Sequence, residues 1–259
     1  MNEIFSLHAG STPLLVSVPH DGWQISNDIV QHMSNAGRSI PDTDWHVADL
    51  YEFVKERGAS MIVANYSRYV VDLNRPADDA AMYEGQLATG LCPLRTFSGT
   101  DIYLDPIDID HAARVATYWR PYHDQLAQTL TELRDQHGYA LLWDAHSIAS
   151  QVPQLFDGEL PVFNIGTWDG HSCGASLADA VVSVATQSEH DTVLNGRFKG
   201  GYTTRHYGNP DANIHAIQLE LAQRAYMHER TLEYDRDKSA QLGATLAAML
   251  DAFQEAASL

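Results

Sequence analysis

Two histidines sit where imidazoles could converge on a metal ion. His20 follows the apolar run Leu14-Leu15-Val16-Ser17-Val18 after a single proline, and precedes the turn-forming pair Asp21-Gly22. His146 closes a second run, Tyr139-Ala140-Leu141-Leu142-Trp143-Asp144-Ala145. Catalytic zinc takes three protein ligands from histidine and carboxylate and keeps one position open. Asp44, ahead of an expected helix, is a candidate third ligand, and Asp42 and Asp144 compete with it. Asp144, two residues before His146 on the same strand face, could instead orient an imidazole from behind. The pair lacks the dense spacing of His-Glu-x-x-His, so two ordinary turn or capping histidines would leave the same trace.

Two further stretches could add chemistry. In Ile214-His215-Ala216-Ile217-Gln218-Leu219-Glu220-Leu221 a period of two puts Ala216, Gln218 and Glu220 on one face. A carboxylate in an apolar strand is costly to bury unless it is paired or used. Beside an activated water, Glu220 could serve as general base and then as acid. An edge strand with Gln218 and Glu220 facing solvent would show the same pattern. In Ser67-Arg68-Tyr69-Val70-Val71-Asp72-Leu73-Asn74-Arg75-Pro76, Arg75 follows an apolar segment and should lie at a sheet end. Its guanidinium matches a carboxylate in two-point fashion, with Asn74 as a second donor.

The elements that must position these residues read as α/β. Strands are expected at Leu14–Val18, Ala59–Asn65, Tyr69–Leu73, Tyr139–Trp143, Pro161–Ile165, Thr192–Asn195 and Ile214–Leu221. Helices are expected at about Asp44–Arg57, Asp110–His137, Ser176–Ser188 and Leu232–Ala257, with Gly138 closing the second. The stretch Ile25–Ile40 reads as a loop with a short helix, and Gly200–Gly208 as a glycine-bounded loop. Ala77–Asp108 shows little periodicity, which inside a compact domain marks a functional loop region. Strands alternating with helices predict a single domain over 1–259, with a mostly parallel mixed sheet flanked by helices. In such sheets ligands bind beyond the carboxyl ends of the strands, where both histidines are expected.

Composition narrows the partners. The net charge of -18 speaks against nucleic acid, whose binding needs a basic surface. No window approaches the apolar length of a membrane span, and the first residues lack the pattern of a signal peptide. Two cysteines outside any Cys-x-x-Cys pair fit a reduced, cytoplasmic setting. Thirteen histidines add weight to metal chemistry. Oligomeric state is not legible.

Taken together, Val-Pro-His-Asp-Gly, Asp-Thr-Asp-Trp, Val-Asp-Leu-Asn-Arg, Asp-Ala-His-Ser, Gly-Gly-Tyr-Thr-Thr-Arg and Gln-Leu-Glu resemble the N-formylglutamate deformylase (amidohydrolase) family, in the family's order from Pro13 to Met227. The resemblance implies a zinc-carboxypeptidase-like fold and zinc-dependent hydrolysis of N-formyl-L-glutamate to formate and L-glutamate, a step of histidine degradation. Another divalent transition metal could replace zinc. The resemblance makes His20, Asp44 and His146 the metal ligands and Glu220 the catalytic glutamate. It has Asn74 and Arg75 hold a carboxylate of a small dianionic N-acyl amino acid. Arg68 or Arg205 would steady the oxyanion, Arg205 would also serve the substrate carboxylates, and His206 would line the pocket. His123 could line it too, although its place on a buried helix stripe favours packing. A related enzyme removing acetyl or succinyl groups would carry the same residues. A non-enzymatic binder on this fold would not need the His20, Asp44, His146 and Glu220 set.

Overall fold

The computed structural model describes residues 3–81 and 89–258. Its centre is a seven-stranded sheet in the order β1-β3-β2-β4-β7-β5-β6. The strands are β1 (Phe5–His8), β2 (Leu14–Val18), β3 (Ser60–Ala64), β4 (Ala140–Ile148), β5 (Phe163–Gly166), β6 (Thr192–Leu194) and β7 (Ile214–Ala222). The pairings β2–β3, β2–β4, β4–β7 and β5–β6 are parallel, whereas β1–β3 and β5–β7 are antiparallel. The expected mostly parallel mixed sheet in one α/β domain is what forms.

Side-chain alternation splits the core into two layers. Leu14, Val16 and Val18 of β2, Leu141, Trp143 and Ala145 of β4, and Ile217, Leu219 and Leu221 of β7 face one side. There they pack under the helices Ala175–Gln187 and Arg236–Ala257. Leu15, Ala140, Leu142 and Ala216 face the other side, under helix α1 (Arg120–His137). A helical turn at His111–Arg114, capped by the Asp110 carboxylate, and a π-helical turn at Val115–Trp119 lead into α1. Gly138, at φ 84°, ends it in the left-handed conformation that glycine adopts without strain. On the α1 side the strands are apolar at their first residues and polar toward their carboxyl ends. That polar end carries Ser17, Asp144, His146, Gln218 and Glu220, all buried.

Several expectations fail locally, each for a physical reason. The helix expected over 44–57 is two single turns, Val47–Leu50 and Phe53–Glu56. Asp44 is drawn away into the sheet crevice, His46 takes φ 64°, and the carboxylate of Asp21 caps the backbone N–H groups of His46 and Ala48. Tyr69–Leu73 is buried but forms no strand: the carbonyls of Tyr69 and Val70 accept hydrogen bonds from Arg114 Nη1, replacing a ladder. The loop 200–208 holds a helix, α2 (Tyr202–Tyr207). β4 runs on to Ile148, so His146 sits within the strand and not beyond it. The terminal helix begins at Arg236, after a two-residue β-ladder of Met227–His228 with Glu233–Tyr234. The edge strand β1, four residues long and mostly exposed, has no apolar run to mark it in the sequence. Of the expected loop region 77–108, residues 82–88 lie outside the described residues; the rest carries neither helix nor sheet strand.

His123 is a packing residue. Its ring stacks on Trp119 at 3.9 Å, its Nε2 bonds the Leu73 carbonyl at 2.9 Å, and its Nδ1 meets the Tyr207 hydroxyl at 3.0 Å. Burial pushes its pKa down to about 3, against the pull of the Leu73 carbonyl. The unfolded chain therefore takes up a proton near pH 6.5 that the folded chain refuses until about pH 3, so stability falls as pH drops through that window. We expect His123→Gln, which keeps an amide donor, to reduce the proton uptake on unfolding between pH 4 and 6 by close to one. Urea unfolding across that range measures it; an unchanged pH slope would contradict the assignment.

Candidate metal centre and catalytic cavity

The strand order reverses between β2 and β4, because the chain builds outward from β2 to β3 and later returns to the other side of β2. Such a reversal opens a crevice at the carboxyl ends of the two strands. β2 ends at Val18, and His20 follows at the lip; β4 carries His146 on the same side. The ring centroids of His20 and His146 are 4.9 Å apart. Asp44 enters between them from the loop after β2, held by its backbone N–H to the His20 carbonyl at 3.1 Å. One ligand atom each from His20, Asp44 and His146 lie within 4.8 Å of one another, all three residues being buried.

The imidazoles are aimed from behind. His20 Nε2 lies 2.8 Å from Asp72 Oδ1, which leaves Nδ1 facing the crevice, 3.7 Å from Asp44 Oδ2 and without a hydrogen-bond partner. His146 Nε2 lies 3.2 Å from Asp144 Oδ1, and its Nδ1 points to Asp44 Oδ2 at 3.1 Å. A carboxylate on the far nitrogen fixes ring orientation and raises ligand basicity. Asp144 is thus an orienting residue and not a competitor of Asp44, supported in turn by Thr204 Oγ1 at 3.1 Å. Asp42 is turned elsewhere, accepting from Tyr69 Oη and the Phe97 N–H.

Charge accounting favours a cation here. Burial opposes the ionisation of Asp44, but the hydrogen bond from His146 and the nearby His20 imidazole hold its pKa well below the carboxylate range. Burial likewise opposes Asp72, and the Arg68 guanidinium outweighs it, again leaving a carboxylate. Arg68 bonds Asp72 Oδ2 at 2.8 Å and Asp44 Oδ1 at 3.4 Å. With neutral imidazoles, the carboxylates of Asp44, Asp72 and Asp144 against the guanidinium of Arg68 leave two formal negative charges. A divalent ion on two imidazole Nδ1 atoms and one carboxylate would balance them. The orphaned Nδ1 of His20 and the convergent donor set fit such an ion. Without it, His146 takes part of the load: burial opposes its protonation, but Asp144 and Asp44 raise its pKa well above the usual value.

Glu220 lies across from His146 in the β4–β7 register and lines the same cavity. Burial pushes its carboxyl up to about 8; Asp44 and Asp144 add to this, and His146 and Arg68 partly offset it. The cavity is also lined by Arg68, Asn74, Arg75, Phe97, Arg197 and Gln218. Arg75 is held by the Thr89 carbonyl at 2.8 Å, the Thr89 hydroxyl at 3.2 Å and the Asn74 carbonyl at 3.2 Å, all neutral acceptors. Asn74 turns inward: its Nδ2 is 3.0 Å from His146 Nε2 and its Oδ1 accepts from the Thr203 N–H. Arg205 and His206 are not brought to the cavity. Arg205 bonds the Gly200 carbonyl and lies over Trp168, while His206 is exposed and stacks on Tyr202.

Sequence reasoning missed Asp72, Gln218 and Arg197. Asp72 lay inside the quoted Val-Asp-Leu-Asn-Arg motif, and a lone aspartate within a segment taken for an apolar strand was its signal. Gln218 shared the face already assigned to Glu220. Arg197 carried no local signal, being one arginine in the polar stretch Asn195-Gly196-Arg197-Phe198-Lys199.

Comparison with known proteins bears on the same residues. Residues 12–227 match the family model for N-formylglutamate amidohydrolase. The N-formylglutamate deformylase of Pseudomonas putida is 49% identical over 233 residues, covering 88% of this chain and 87% of the relative. Its counterpart from Pseudomonas aeruginosa is 48% identical over 234 residues, covering 89% and 88%. Among solved structures, the N-formylglutamate amidohydrolase of Ralstonia eutropha JMP134 superposes with a TM-score of 0.82 at 24% identity, covering 96% of both chains, a likeness that speaks for the fold alone. The match spans β2 through β7 and includes each residue of the crevice, and the chain belongs to the N-formylglutamate amidohydrolase family.

Proposed function

We propose that the protein hydrolyses the formamide bond of N-formyl-L-glutamate to formate and L-glutamate, with a divalent transition metal, zinc by its donor set, on His20, Asp44 and His146. The observation that carries this reading is the convergence of those three residues beside Glu220 in one cavity with Arg75 on its wall. The two most similar relatives reported above are N-formylglutamate deformylases at nearly half identity. The reading includes a role at the end of a branch of histidine degradation, in the cytoplasm, where two buried free cysteines are at home.

A bound metal would supply Lewis-acid polarisation of the formyl oxygen and of a water. The chain supplies the rest. Glu220 accepts a proton from the attacking water and returns it to the glutamate nitrogen as the C–N bond breaks. A carboxyl that burial lifts above the usual carboxylate range suits both transfers. Arg68, on the cavity wall, adds positive charge near the developing oxyanion, although much of its charge serves Asp44 and Asp72. Arg75, bonded to neutral oxygens, meets a substrate carboxylate, and Arg197 offers a second cation to the dianion. Asn74, on the cavity wall beside Arg75 with its Oδ1 taken by the Thr203 N–H, keeps its Nδ2 as a second donor for that carboxylate. Arg205 and His206 are left out of the substrate contacts.

The deciding experiment is turnover of N-formyl-, N-acetyl- and N-succinyl-glutamate side by side. The formyl compound should dominate; preference for acetyl or succinyl would replace the deformylase reading with that of a related acyl hydrolase. Dialysis against a chelator should abolish turnover, and one equivalent of zinc per chain should restore it. Glu220→Gln should lose roughly 10²–10⁴-fold in kcat while retaining full metal content; near-normal turnover would remove Glu220 from the base role. For Arg75→Ala we expect a loss of about 100-fold in kcat/KM on N-formylglutamate and a much smaller one on its diamide, since a charge-assisted contact is lost only with the dianion. Equal losses on both substrates would assign Arg75 to structure.

A further inference from the structure

We propose that Gln218 is a positioning residue that fixes the carboxyl of Glu220, anchoring Oε2 and leaving Oε1 to take the proton. The proposal rests on the reading of Glu220 as general base. Gln218 and Glu220 are two residues apart on β7, so both side chains leave the same face of the strand and line the same cavity. Gln218 is buried, and its amide orientation follows from its partners. The backbone N–H of Gly201 lies 2.6 Å from one terminal atom of the amide, and an N–H can only donate, so that atom is the oxygen. The NH₂ group is then the end that reaches Glu220 Oε2, at 3.3 Å. Among the described residues this is the side-chain hydrogen bond that Glu220 receives.

The anchor behind Gln218 is stiff. Gly201 immediately precedes α2, and a Cβ built there would fall 2.2 Å from Asn74 Nδ2. Only glycine lets the backbone come this close, and the approach also brings the Thr203 N–H to Asn74 Oδ1 at 2.9 Å. One turn of backbone therefore holds both Asn74 against His146 and Gln218 against Glu220. The Glu220 backbone carbonyl is fixed separately by Asn164 Nδ2 at 3.1 Å. With the strand and one carboxyl oxygen both held, the remaining oxygen has a defined direction. An amide donor also favours the ionised, accepting form of its partner, as a base requires.

Gln218→Met tests this, because it is uncharged and similar in length but removes the donor toward Glu220. We expect kcat on N-formylglutamate to fall roughly 100-fold, the scale of a misaligned catalytic group, with KM within about threefold and zinc still stoichiometric. Gln218→Leu, equally without a donor, should show the same split and serves if the methionine variant folds poorly. In a Glu220→Gln background the Gln218 changes should cost less than about threefold more, since residues acting through one another are not additive. A Gln218→Met enzyme with wild-type kcat, or an equal loss in both backgrounds, overturns the proposal and leaves Gln218 a support of the 200–204 turn. Wild-type turnover by Glu220→Gln alone would instead remove the general base and take the proposal with it.

Discussion

The structure depends on a buried carboxylate. Asp44 is buried, and its two oxygens meet His146 Nδ1, the Ser147 N–H and the Arg68 guanidinium, with His20 Nδ1 close by. Such a charge costs several kcal/mol to bury and is tolerated only when its surroundings are built to receive it. The loop after β2, the ends of β2 and β4, and the 67–75 segment all converge on that requirement. Even the broken helix after Asp44 belongs to it: the backbone that would continue a regular helix is bent so that the carboxylate can reach between the strands.

Around this ion lies a second layer whose task is direction. Asp72 and Asp144 each take the far nitrogen of one imidazole. Asp72 is pinned by Arg68 and by the Asn74 backbone N–H; Asp144 is pinned by Thr204. Orientation is thus transmitted from α2 and from the 67–75 turns, elements far apart in the chain, to two nitrogen atoms. Hydrogen-bonded outer partners of this kind hold ligand basicity and ring angle together. Glu220 stands outside this layer, and burial raises its carboxyl above the usual carboxylate range.

The overall charge of -18 opposes an anionic substrate, yet the cavity wall carries Arg68, Arg75 and Arg197. Fields at short range in a recess outweigh a diffuse surface charge screened by salt. A strongly acidic protein can therefore receive a dianion, provided its cations are local and held by neutral acceptors, as Arg75 is.

The sequence by itself determined the parts that repeat at short range. Strands β2, β4 and β7 were legible because buried parallel strands are near-continuous apolar runs, and the face carrying Gln218 and Glu220 followed from a period of two. The long helix to His137 and its stop at Gly138 were legible in the same way. The candidate ligands could be named because histidine and aspartate among apolar neighbours need a reason to be there. Only the tertiary structure decided which aspartate lies between the imidazoles and which two stand behind them. Asp42, Asp44, Asp72 and Asp144 are alike as residues; strand order and loop path separate them. The same holds for the arginines: Arg197, in the bend after β6, reaches the cavity, whereas Arg205, on α2, is turned to the Gly200 carbonyl and Trp168. Pairing of charges across long sequence separations leaves no periodic trace in a chain, so it is settled only when the chain is folded.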